Sequence, residues 1–188
     1  MEYYNQVFEP ADEAVERWTD QEFEQCVFKK LDFSRGSFAG SSFVNCRFEH
    51  CTLTGVELKN AKLYDVRFAN CKLTHVDFGS CNPFGFHVDF KDCQLDYTVF
   101  LNRKLKKAQF IECSLKEAYF LKCDLTGTAF KHCNLELTKF EDNNLSQVDF
   151  SSSYNLEINP DTNKLKKARF SLQSLPGLLT KHDLIISH

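Results

Sequence analysis

The feature that most constrains this chain is a period of five. From Phe23 an aromatic residue or leucine recurs at every fifth position: Phe23, Phe28, Phe33, Phe38, Phe43, Phe48, Leu53, Leu58, Leu63, Phe68, Leu73 and Phe78. After an interruption the pattern resumes at Phe90, Leu95, Phe100, Leu105, Phe110, Leu115, Phe120, Leu125, Phe130, Leu135, Phe140, Leu145 and Phe150. Leu165 and Phe170 return in the same phase. Such a period suits neither ordinary element. On an α-helix each step of five turns about 140° and spreads the side chains around the axis. On a flat strand an odd step sends them to alternate faces. Either arrangement exposes half of the phenylalanines, at a cost of about 1.5–3 kcal/mol each. A chain that turns a corner after every five residues points them all inward, and four such sides close a square coil of 20 residues.

A repeat of 20 is the sharper test. Phe28, Phe48, Phe68, Phe90, Phe110, Phe130, Phe150 and Phe170 are spaced by 20 with one step of 22, which stacks them on one inner wall. The opposite wall reads Phe38, Leu58, Phe78, Phe100, Phe120 and Phe140, and the step of 22 places a two-residue insertion near 79–88. Coils about 4.8 Å apart, joined by parallel ladders, give a rod of about 35–40 Å. The expected fold is therefore all-β: a quadrilateral parallel β-helix of seven to eight coils between Phe23 and Phe170. Three parts follow: an acidic N-terminal capping segment over 1–20, the repeats over 21–171, and a C-terminal segment over 172–188.

The cysteines fit this register. All nine (Cys26, Cys46, Cys51, Cys71, Cys81, Cys93, Cys113, Cys123 and Cys133) fall two residues before a central position, Cys81 by continuing the first phase to Pro83 inside the break, where a small inward side chain is needed. No pair has metal-ligand spacing with a histidine or a second cysteine. In-register Cβ atoms about 4.8 Å apart also exceed the usual disulfide range. Buried thiols are expected, with no metal and no cofactor.

These residues resemble the pentapeptide repeat family, whose repeat is written A(D/N)LXX. Good copies are CDLTG (Cys123–Gly127), CNLEL (Cys133–Leu137), AKLYD (Ala61–Asp65) and VDFSS (Val148–Ser152). The resemblance implies a right-handed square solenoid. Within the family the chain is similar to the Qnr-type quinolone-resistance and microcin-immunity members, through Leu156-Glu157-Ile158-Asn159-Pro160 with Asn163-Lys164-Leu165, and through the tail from Leu175 to Ile186. That similarity implies a bacterial, non-enzymatic rod that binds DNA gyrase or topoisomerase IV and protects it from quinolones or toxins. It also implies a homodimer paired by a C-terminal helix and strand, with Leu175, Leu178, Leu179, Leu184, Ile185 and Ile186 at the contact. From the residues alone, the tail either pairs two copies or caps its own coil, since an open solenoid end exposes a core layer and unpaired backbone.

Charge bears on the partner. Residues 1–24 hold eight acidic side chains against Arg17, a net of −7; the whole chain is −3, so residues 25–188 carry +4. Duplex DNA of the rod's length carries roughly 21–24 negative charges. The body of the rod is not acidic in that way. Its outward positions instead gather Val99, Leu101, Tyr119 and Leu121 on one wall, with Tyr97 and Leu137 at its edge: a candidate face for a protein partner. Arg103, Lys104, Lys106 and Lys107, with Lys164, Lys166 and Lys167, form a basic ridge that either meets an acidic partner or is simply solvated. In the insertion, Phe84 and Phe86 either plug the core or project toward a partner.

No enzyme is expected, because two inward side chains per repeat fill the interior and leave no substrate pocket. The six histidines fall outside the inward positions, and no nucleophile–base spacing emerges. No apolar run is long enough to cross a bilayer, and the start Met1-Glu2-Tyr3-Tyr4-Asn5 has no basic or apolar export character. A cytoplasmic protein is expected, with no membrane partner and no direct nucleic-acid binding. Two functions stay open: topoisomerase protection, and a scaffold that binds some other protein through the apolar wall.

Overall fold

The computed structural model describes residues 1–10, 18–182, 184 and 185. The chain winds as a parallel β-solenoid whose short strands fall into three stacked sheets. The first holds β1 (Glu2–Tyr4), β3 (Glu22–Glu24), β5 (Ser42–Val44) and β7 (Lys62–Tyr64). The longest holds β2 (Val7–Phe8), β4 (Val27–Lys29), β6 (Arg47–Glu49), β8 (Val66–Ala69), β9 (Val88–Lys91), β11 (Gln109–Ile111) and β13 (Ala129–Lys131). The third holds β10 (Val99–Leu101), β12 (Tyr119–Leu121) and β14 (Lys139–Glu141). Among the described residues the pairings are parallel and in 20-residue register, as in Phe28↔Phe48, except across the insertion, where Phe68↔Phe90, Lys72↔Gln94 and Asp77↔Val99 are spaced by 22.

The inward rings stack as the repeat requires. Along the long sheet, rings from Phe8 to Phe170 follow one another at centroid separations of 4.5–5.6 Å. Phe78, Phe100, Phe120 and Phe140 form the facing column at 4.7–5.1 Å. Offset stacks of this kind add about 0.5–1.5 kcal/mol beyond burial. Most corners are turned by a residue at positive φ two places after the inward Phe or Leu, such as Asn45, Gly127 or Leu137.

All nine cysteines are buried free thiols, and they do more than fit. Cys51, Cys71 and Cys133 donate to the carbonyls of Phe28, Phe48 and Phe110 at 3.3 Å, each 23 residues earlier. Thr128 and Thr138 do the same to Leu105 and Leu115 at 2.6 Å, and Ser153 to Phe130 at 2.9 Å. Where the inward position two residues before a central one carries Cys, Thr or Ser, its side chain therefore also supplies a donor to a buried carbonyl, whereas Ala61, Ala108, Ala118 and Val148 at the same position only fill space.

The N-terminal segment does not simply cap the solenoid. β1 and β2 pair with β3 and β4 through Tyr3↔Phe23 and Phe8↔Phe28, so the first residues form a coil in phase with the rest. Trp18 belongs to it and packs within 5.0–6.2 Å of Phe23, Phe28, Phe33 and Phe38. The reason is that Tyr3, Phe8 and Trp18 already carry the five-residue phase, interrupted only at position 13. The remainder of the proposed cap, residues 11–17, lies outside the described residues.

A candidate protein-binding wall and its flanking groove

The three strands β10, β12 and β14 pair as Val99↔Tyr119↔Lys139 and Leu101↔Leu121↔Glu141. Because the middle residue of each strand is the buried Phe100, Phe120 or Phe140, these pairs point outward and form a flat face. Val99, Leu101, Tyr119 and Leu121 thus share one wall, and Tyr97 stands at the corner that borders it. Tyr97 and Leu101 are exposed and the other three half-buried. The face is bounded by charge at β14.

The tyrosines anchor its carboxylates. The Tyr119 hydroxyl donates to Glu141 Oε2 at 2.6 Å. That bond, with burial and the carboxylate's charge behind it, holds the hydroxyl above the usual phenol range. Glu117 likewise raises Tyr97, by its charge first and a hydrogen bond second. On its other side the Tyr97 ring stacks on His75 at 4.7 Å. Gly79 lies under Leu101: a Cβ there would approach Leu101 Cβ to 2.8 Å.

Beside the wall runs a groove of about 880 Å³, lined by Tyr119, Leu137, Lys139, Ile158 and Thr180, among others, with Glu117, Glu141 and Glu157 on its sides. Its geometry comes from the last coil. After Phe150 the strict step of five fails, and Leu156 and Ile158 fill the interior instead. Sequence periodicity pointed to Leu137 but missed Glu117, Glu141 and Glu157. The one signal was that Glu117, Leu137 and Glu157 are spaced by 20.

The C-terminal segment keeps the expected short helix, as a 3₁₀ rather than an α-helix, but among the described residues it has no strand. Leu172–Leu178 and Thr180–His182 are 3₁₀ turns, and Leu184 and Ile185 are irregular chain. Pro176 removes a backbone donor that an α-helix would use, and a strand needs a ladder partner that these two residues do not have in the described chain. The segment is fastened at Gly177, whose carbonyl accepts from Ile158 N at 3.0 Å. A Cβ at Gly177 would lie 1.7 Å from Leu156 O, so only glycine permits this approach. Lys181 pairs with Asp161. Leu178 packs against the core, whereas Leu175, Leu179, Leu184 and Ile185 are exposed, Ile185 to 97%. Ile186 lies outside the described residues.

At the insertion the two phenylalanines part company. Phe86 is 5% exposed and fills the interior, with its ring 6.4 Å from Phe78. Phe84 is 87% exposed on the turn Asn82–Gly85, where its N–H donates to Asn82 Oδ1 at 3.0 Å. Arg103 corrects the reading of the basic ridge. It occupies the inward position two before Leu105, is 7% exposed and does not reach the ridge at all. Its Nε donates to Leu101 O at 2.9 Å, Nη1 to Cys81 O at 2.9 Å and Nη2 to Gly79 O at 3.2 Å. The guanidinium also lies 5.6 Å from the Phe86 ring centroid. The insertion displaces carbonyls from the ladder, and the long forked donor reaches them. Of the remaining ridge, Lys106 is paired with Asp124 at 3.1 Å.

Among the described residues, no group of three or more His, Cys, Asp or Glu is placed to hold a metal ion. No described helix is long and apolar enough to cross a membrane.

Comparison with known proteins agrees with this architecture. A family described as "Pentapeptide repeat region" matches residues 16–100 and 41–120, and one described as "Pentapeptide repeats (8 copies)" matches 104–142 and 118–154. Among solved structures the chain is similar to trypsin-treated QnrB1, a plasmid-mediated fluoroquinolone resistance protein. The identity is 15% and the TM-score 0.64, over 100% of this chain and 98% of that one. It is also similar to HetL, a pentapeptide repeat protein involved in heterocyst differentiation regulation in the cyanobacterium Nostoc sp. strain PCC 7120. There the identity is 13% and the TM-score 0.51, over 91% of this chain and 83% of that one. No curated protein matches the chain in sequence. At these identities the likeness is one of fold.

Proposed function

The chain belongs to the pentapeptide repeat family, and from that premise we propose that it is a non-catalytic rod that binds a protein partner along one flank. The observation that carries this reading is the wall of β10, β12 and β14, where Val99, Leu101, Tyr119 and Leu121 stand together on one sheet with Tyr97 at the corner beside it. A preorganised face of tyrosine and leucine loses little side-chain entropy on contact. The filled interior argues against an enclosed catalytic site.

The first partner to test is a type II topoisomerase, DNA gyrase or topoisomerase IV. The support is the similarity along the whole rod to QnrB1, a fluoroquinolone resistance protein. The body charge of +4 over residues 25–188 makes contact through the apolar wall a better account than mimicry of DNA along the full length. Gyrase supercoiling in the presence of ciprofloxacin, titrated with the purified protein, is expected to recover at near-stoichiometric protein. Leu101→Lys/Leu121→Lys is expected to abolish the recovery. No recovery with the wild-type chain overturns the topoisomerase reading. The wall would then favour the second reading, a scaffold for an unrelated protein.

The same proposal includes a homodimer through the C-terminal end, supported by the exposed Leu175, Leu179, Leu184 and Ile185. Light scattering is expected to give twice the chain mass, and Leu175→Lys/Leu179→Lys to return it to one. A monomeric wild-type chain would leave the segment as a cap.

A further inference from the structure

Leu137 stands 61% exposed at a corner of the coil, held there by its left-handed backbone, with Glu117 and Glu157 each 20 residues away. Across the groove, Glu141 is held by the Tyr119 hydroxyl. Three carboxylates therefore surround an apolar floor of Leu137, Ile158 and the Tyr119 ring, and Lys139 is the one cation among the lining side chains. We propose that this groove takes a cationic, apolar stretch of the protein partner, in which arginine or lysine alternates with leucine-like side chains. The proposal rests on the protein-binding reading above and names the chemistry of the partner.

The physical case is one of complementarity. An anionic segment would set its carboxylates against Glu117, Glu141 and Glu157. A purely apolar segment would strip water from the same carboxylates without replacing it, which costs more than the floor returns. A lysine or arginine satisfies both surfaces. Its aliphatic stem lies along Leu137 while its charged head reaches the rim, and a guanidinium can also sit over the Tyr119 ring. Because Tyr119 already orients Glu141, that carboxylate needs little further ordering on binding. The groove adjoins the apolar wall through Tyr119, so one bound segment can use both.

The test is fluorescence anisotropy of a labelled decapeptide of alternating arginine and leucine, titrated with the full chain. A matched peptide of alternating glutamate and leucine serves as the control. The arginine peptide is expected to bind and the glutamate peptide not to. Leu137→Ser, and separately Glu117→Gln/Glu157→Gln, are expected to weaken binding by roughly tenfold or more, and added salt to weaken it further. Glu22→Gln/Glu24→Gln, in the acidic first coils, is expected to leave binding unchanged. Equal thermal midpoints for the groove variants and the wild-type chain show that they remain folded. The proposal is overturned if the arginine peptide does not bind, if both peptides bind alike, or if the groove variants bind as the wild-type chain does. Suppose Leu101→Lys/Leu121→Lys abolishes partner binding while peptide binding ignores the groove variants. Then the rod still binds protein, and only the partner chemistry proposed here is wrong.

Discussion

At most corners one residue carries a positive φ, +56° at Leu137 and +59° at Lys107. For an L-residue this backbone costs about 1–2 kcal/mol, and the solenoid accepts it more than twenty times because the inward rings need it. Gly55, at φ +62°, isolates the effect, since a Cβ there would meet nothing within 4 Å. Gly55→Val is expected to lose about 1–2 kcal/mol in urea unfolding, whereas Gly55→Asn stays within about 0.5 kcal/mol. Equal losses for both would show that the corners are not limited by backbone conformation. The thiols give a second residue-scale expectation. Burial pushes the thiols of Cys46 and Cys81 up to about 12 from an ordinary 9.0. A folded pKa above the unfolded one adds stability that is complete below pH about 9 and declines as pH rises toward 12. The urea midpoint should therefore fall between pH 9 and 11. At pH 8 Ellman's reagent should find no reactive thiol in the native chain and all nine after denaturation. A midpoint flat across that range would show that the thiols do not feel burial.

Two devices act at the scale of the element. Arg103 holds the insertion by donating to three carbonyls. Arg103→Met keeps the bulk but leaves Gly79 O and Cys81 O without that donor. A loss of about 2–4 kcal/mol is expected, with faster hydrogen exchange confined to residues 79–88. Uniformly faster exchange along the chain would instead make Arg103 a global prop. Gly177 is the other device. Gly177→Ala forces a methyl group against Leu156 O, breaks the bond from Ile158 N and should lift the C-terminal 3₁₀ turns. Limited proteolysis is expected to cut near Leu172–His182 in the variant while the far-UV spectrum of the solenoid is unchanged. Resistance equal to the wild-type chain would mean that the segment is held elsewhere, as at Lys181 and Asp161.

The whole molecule is a stack in which a coil touches only its neighbours, so its stability is close to a sum of coil and interface contributions. The first coil has a neighbour on one side, and it holds the chain's single tryptophan. Trp18 fluorescence should therefore report unfolding at lower denaturant than the far-UV signal of the remaining coils. Coincident transitions would show that the rod unfolds as one cooperative unit. Trp18→Ala, which removes contacts with the rings of Phe8, Phe23, Phe28, Phe33 and Phe38, should cost about 3–5 kcal/mol.

The solenoid was legible in the sequence because its constraint repeats. When each ring has a copy of itself about 4.8 Å above and below, one periodicity fixes both the register and the inward side of every strand. The same rule placed the cysteines and gathered Leu101, Tyr119 and Leu121 on one wall, with Tyr97 at its edge. Where the repeat breaks, neighbours are no longer copies, and position in the sequence stops determining direction. Phe84 and Phe86 differ by two residues, yet one projects and the other is buried, because the insertion leaves room inside for one ring. Arg103 reads as part of a lysine ridge until displaced carbonyls draw it inward. The groove of Leu137, Glu117 and Glu157 exists only because the last coil leaves the phase and its 3₁₀ segment folds back onto Leu156 and Ile158. Local spacing determined the rod; the contacts between unlike coils decided its ends, its insertion and its candidate binding groove.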